Sequence, residues 1–149
     1  MSEKTALFKS QYKNFTEMCE QSEGLDQWDT SKYGLTEEYV LEDLFALALH
    51  FIAVDGEIAD GEVSAFNECL GYEYGTEELT DIYENCREII DYGVEERLKE
   101  DLMSLEQLDS HLAAAFEGMV FTLLEILSES DGYFGISEQE EILRLKAAL

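Results

Sequence analysis

Four carboxylates recur at matched positions of this 149-residue chain, and carboxylates are the side chains that hold hard divalent cations. Asp55 leads into Gly56, Glu57 and Ile58, with Glu62 following; Asp131 leads into Gly132, with Ile136 and Glu140 following. The stretches ahead of the two turns match as well, Phe45 with Phe121 and Leu47 with Leu123, in step with Asp55 and Asp131. After the turn the second copy carries two extra residues, so that Ile58 pairs with Ile136 and Glu62 with Glu140. Such self-similarity marks a duplicated supersecondary unit whose copies pack on each other. Packed as a pair, the copies would bring Asp55, Glu62, Asp131 and Glu140 together. Glu57 could join from the first turn only, because Tyr133 stands at its place in the second. An all-oxygen set of this kind suits Ca²⁺ or Mg²⁺ rather than Zn²⁺.

The same residues also have a purely local use. An Asp before Gly bonds nearby backbone N–H groups, Glu140 stands at capping-box spacing from Ser137, and Glu62 near a helix N-terminus is favoured by about 0.3–1 kcal/mol. The turns do not follow the EF-hand pattern, since counting from Asp55 the glycine falls at the seventh place, Gly61, not the sixth.

The elements that must position these turns are helical. From Leu105, the residues Leu108, Leu112, Phe116, Met119, Leu123 and Leu127 recur at three and four, one face of a long helix. The stretch 39–52 is apolar nearly all round and reads as a central buried helix. Thr76, Ser104 with Gln107, and Ser137 with Glu140 are helix-start candidates. About seven helices follow, over 3–21, 36–54, 60–70, 76–91, 94–103, 105–129 and 138–148. No linker divides the chain, so 1–149 reads as a single compact all-α domain with repeat halves at about 36–70 and 112–149. Trp28 and Tyr33, in the loop 24–34, are expected to seal one end of the core, and the charge run 95–101 reads as a solvated helix face.

Composition narrows the function. Thirty-five Asp plus Glu against nine Lys plus Arg leave a formal net charge of -26. A chain so acidic is repelled by nucleic-acid phosphates and anionic lipid, whereas cations and proteins with basic surfaces remain open as partners. The two most apolar stretches, 44–54 and 112–127, are interrupted by His50, Glu117 and Glu125, and neither reads as a membrane span. The N-terminal stretch shows Lys4, Lys9 and Lys13 among polar residues and no apolar signal-peptide core. Cys19, Cys69 and Cys86 lack CxxC spacing and fit a reducing, cytoplasmic setting. His50 on the apolar helix and His111 beside Leu112 read as packed or solvated, and no nucleophile elbow or phosphate-cradling loop appears, so a non-enzymatic role is expected.

The run Ala53-Val54-Asp55-Gly56-Glu57-Ile58, with Glu62 on the next helix, resembles the signature of the tellurite-resistance TerB family. A related pattern occurs in the N-terminal domain of DjlA-type co-chaperones. The second copy, from Ser130-Asp131-Gly132 to Ile136-Ser137 and Glu140, resembles it again. Two departures stand out: Ala59 where a Ser or Asp cap is usual, and the insertion at Tyr133-Phe134-Gly135. The resemblance implies a seven-helix, internally duplicated fold. It also implies a cytoplasmic bacterial or phage stress-response protein, with a divalent cation at the acidic turns.

Three functions compete on this reading. One is a TerB-like, stress-associated scaffold for protein partners with basic surfaces. The second is a nucleic-acid mimic that blocks a DNA- or RNA-binding enzyme, which predicts carboxylates in rows over one face. The third is an acidic surface adapted to high salt, which predicts destabilisation at low ionic strength.

Overall fold

The computed structural model describes residues 3–23, 36–53, 58–108, 110–129 and 136–148. Those residues form six helices: α1 (Glu3–Glu23), α2 (Thr36–Ile52), α3 (Asp60–Leu70), α4 (Thr76–Leu108), α5 (Ser110–Glu129) and α6 (Ile136–Ala148). The protein is all-α, with no strand among the described residues. Trp28, Tyr33 and the Asp-Gly turns at Asp55 and Asp131 lie outside them.

The core is built where apolar spacing is densest. On α2, Leu44, Leu47, Ala48, Leu49, Phe51 and Ile52 are all fully buried, as a helix apolar nearly all round requires. On α5, Leu112, Phe116, Met119, Leu123 and Leu127 are fully buried in the three-and-four register that the sequence shows. α5 touches every other described helix, and α1 covers it most extensively. The Phe15 and Phe116 rings sit 5.4 Å apart, and Lys4 at the start of α1 donates to Glu129 at the end of α5 over 2.7 Å, so the two helices run antiparallel. By length and composition α5 could cross a membrane, the one such helix among the described residues. More than half of that stretch is buried inside the fold, as in the core helix of a soluble protein.

Helix boundaries shift by two residues at the ends of α1 and α2 and at the start of α6, and depart further from the sequence reading at two places. Gly93 does not end a helix: 76–91 and 94–103 are parts of one continuous α4, which runs on to Leu108. A glycine inside a helix costs about 1 kcal/mol relative to alanine, and Ile90 and Leu98, buried on either side, offset that cost by packing. The chain then breaks where the spacing looked unbroken, α5 beginning only at Ser110, so Ser104 lies within α4 and caps nothing. Leu105 and Leu112 are both buried across the break. Core contact alone preserves the spacing, whether or not the backbone continues straight.

Local chemistry sets the α3–α4 connection. α3 ends at Gly71, whose φ of 78° is the left-handed conformation that glycine adopts without a Cβ penalty. Asn67 then holds the following strand of chain, donating to the Tyr74 carbonyl at 2.8 Å and accepting from its N–H at 3.1 Å. α4 is capped by Glu78, which accepts the Gly75 N–H at 3.2 Å. Thr76, expected as the cap, instead donates its hydroxyl to Asp60 and fastens the start of α4 to the start of α3.

Candidate functional site

The residues singled out from the sequence meet different fates. Glu62 is buried at the start of α3, where its carboxylate accepts the Ala59 N–H at 3.1 Å, the reverse half of a capping box. Ala59 has no side-chain oxygen to supply the forward half. Glu140 is exposed on α6, and that helix already begins at Ile136, one residue ahead of Ser137. Asp55, Glu57 and Asp131 lie outside the described residues. Among the described residues no three or more His, Cys, Asp or Glu side chains gather as a metal would need.

Polar chemistry inside the fold gathers elsewhere, in two clusters along one side of α2. Asp43 and His50 stand seven residues apart, two helical turns, and so share a face. His50 Nε2 lies 3.1 Å from Glu141 Oε1 on α6. Arg144 grips the same carboxylate with two nitrogens, at 2.6 and 3.0 Å, and reaches Glu95 of α4 at 2.6 Å. The chain α2–His50–Glu141–Arg144–Glu95–α4 thereby ties three helices. His50 first, then Arg144, pulls the Glu141 carboxyl down to about 2, so it is an ionised acceptor and Nε2 of His50 carries the donated proton.

Asp43, in the middle of α2, faces Arg97 and Asp101 of α4. Arg97 Nε stands 3.6 Å from Asp43 Oδ1. Asp101 is 1% exposed and comes within hydrogen-bonding reach of Asp43. Neither Asp101 oxygen, nor Oδ2 of Asp43, meets a donor among the described residues. Burial first, then Asp43, pushes the Asp101 carboxyl up to about 9.

Sequence reasoning missed both clusters. Asp101 belongs to the run read as a solvated face, and Glu96 and Glu100 are indeed exposed, but Leu98, Asp101 and Leu105 form one inward row spaced by three and four. A carboxylate standing in core register was the available signal. His50–Glu141 and Asp43–Asp101 join residues far apart in the chain, and no spacing rule reports that. The thiols are quieter: Cys69 and Cys86 are free, and burial pushes the Cys69 thiol up to about 11, which leaves it unreactive.

The third acidic feature is exposed. Glu77, Asp81, Glu84 and Glu88 of α4 are all solvent-facing and fall four, three and four residues apart, in one row along the helix. At 1.5 Å per residue the row is about 16 Å long.

Fold and clusters together define an all-α protein with a buried carboxylate pair, a part-exposed ionic chain and an acidic outer helix face. Comparisons with protein-family models, curated proteins and solved structures find no match to the chain.

Proposed function

We propose that this chain is a non-enzymatic interaction protein that receives a basic protein surface on the acidic face of α4. The row Glu77, Asp81, Glu84, Glu88 carries this reading: four exposed carboxylates of one sign, with no basic residue in the row. Like charges at this spacing destabilise a helix by about 0.2–0.5 kcal/mol per pair. A basic partner would relieve that repulsion and be steered toward it by the net charge of -26.

In its finer form the protein is a TerB-like, cytoplasmic, stress-associated scaffold, with a divalent cation at Asp55, Glu62, Asp131 and Glu140. The duplicated Asp-Gly signature supports this, each copy falling between a buried apolar helix and a shorter one, α2 with α3 and α5 with α6. Free Cys69 and Cys86 fit a reducing compartment. The carboxylate row also favours a second reading, a nucleic-acid mimic, because regularly spaced charge over one face is what a phosphate-binding groove accepts.

The test is binding of basic proteins from the native host by wild type, by a Glu77→Gln/Asp81→Asn/Glu84→Gln/Glu88→Gln variant, and by a control neutralised at exposed Glu3, Glu17, Glu42 and Glu68. A salt-sensitive partner held by wild type and control but lost from the row variant is expected. Equal retention by all three would overturn the assignment of the α4 face. Competition of nucleic acid with the chain for that partner would select the mimic.

A further inference from the structure

The Asp43–Asp101 pair holds more negative charge than its surroundings neutralise. Asp43 on α2 and Asp101 on the packed helix α4 interact carboxyl to carboxyl; both are buried, Asp101 to 1% exposure, and neither Asp101 oxygen, nor Oδ2 of Asp43, meets a donor among the described residues. Among the described residues Arg97 is the cation set against them, 3.6 Å from Asp43. An ionised carboxylate left in a dry interior without a donor costs several kcal/mol, and a second negative charge beside it adds repulsion. A proton on Asp101 removes both costs and creates the missing donor, an O–H directed at Asp43, while Arg97 continues to balance the charge that stays there.

We propose that Asp43 and Asp101 share one proton, and that this proton latches α2 to α4. The acid form of Asp101 donates to an Asp43 oxygen, and Arg97 stands 3.6 Å from Oδ1 of the same side chain. The charged groups bearing on Asp101 from the elements packed around it are Asp43 on α2 and Glu100 and Arg97 on α4. Asp43 and Glu100 favour keeping the proton and, among the described residues, Arg97 opposes it.

The direction of the pH effect follows by linkage. Unfolded, Asp101 loses its proton near pH 4; folded, it keeps it until about 9. Over that interval the folded protein binds one proton more than the unfolded chain, so stability falls as pH rises and levels off above the folded value. The latch is closed in acid and at neutrality and loosens in alkali.

Urea unfolding from pH 5 to pH 8 tests this on wild type, Asp101→Asn and Asp43→Asn. Asn at 101 reproduces the shape and donor of the protonated acid and cannot ionise. The unfolding constant of wild type, relative to Asp101→Asn, is expected to rise close to tenfold per pH unit. Parallel pH dependences for the two would overturn the proposal. Should Asp101→Asn fail to fold, Asp43→Asn decides, with the series carried on to pH 10: removing the facing charge must lower the pH at which the dependence levels off, and an unchanged levelling point rejects the shared proton. Stabilisation of wild type by Mg²⁺ at pH 8 that Asp101→Asn lacks would put a cation in the proton's place and overturn it as well.

Discussion

Two sets of carboxylates on α4 have the same chemistry and opposite surroundings. Glu77, Asp81, Glu84 and Glu88 project into water along the first half of the helix, while Asp101, in the second half, is sealed against α2 with Asp43 and Arg97. Water solvates the outer row, so its charges cost little and stay available to a partner. The inner pair is buried, with Arg97 the cation beside it among the described residues. Side-chain type therefore says little about role in so acidic a chain, and position relative to the helix's inward register says most. On the proposed function, one helix serves both as a docking face and as a strut, because its two halves hold their carboxylates in opposite surroundings.

The contrast is broken most forcefully at Arg97. Arg97→Met, which keeps much of the packing stem and deletes the charge, should lower unfolding free energy at pH 7 by about 3 kcal/mol, since it strands the buried Asp43. The exposed Arg87, set 5.9 Å over the Tyr83 ring, is the control, and Arg87→Met should cost less than about 1 kcal/mol in the same urea titration.

A smaller loss is expected at the other cluster. Glu141→Gln weakens charge-assisted bonds to His50 and Arg144 and should cost about 1.5–3 kcal/mol at pH 7. The Glu141 carboxyl is depressed in the fold, to about 2, so its contribution is present above the unfolded value and fades as pH falls through about 2. Acid titration of stability should therefore lie flatter in Glu141→Gln than in wild type between pH 5 and 2.

Backbone changes come next. Gly71→Ala forces a Cβ into the left-handed turn at the end of α3 and should cost about 1 kcal/mol. Gly93→Ala, inside α4 and with the Arg97 side chain 3.6 Å from the added carbon, should add about 0.5–1 kcal/mol. Thermal melts of the two variants should move in opposite directions. Smallest in stability is the outer row: neutralising its four carboxylates should leave the melting point unchanged or raise it by the equivalent of up to about 1 kcal/mol, while partner binding is lost.

Much of the fold was legible in the sequence because burial repeats every three and four residues. The ranges 36–54 and 60–70 nearly coincide with α2 and α3, and Leu112, Phe116, Met119, Leu123 and Leu127 are buried as their spacing requires. Propensity misled at Gly93, where packing on both sides outweighs one glycine, and periodicity misled at the α4–α5 break, which keeps the apolar register. The local part of the candidate site was legible too: Glu62 serves as a cap. The two polar clusters were not, because Asp43 finds Asp101, and His50 finds Glu141, only after α2, α4 and α6 have packed.

The protonation state of Asp101 can be observed directly, by titrating side-chain carboxyl carbons of ¹³C-aspartate-labelled protein by NMR, with Asp101→Asn for assignment. A protonated Asp101 at pH 7, losing its proton only in alkali, is the expected result. An Asp101 already ionised at pH 7 would contradict the shared proton, and with it the distinction between the two ends of α4.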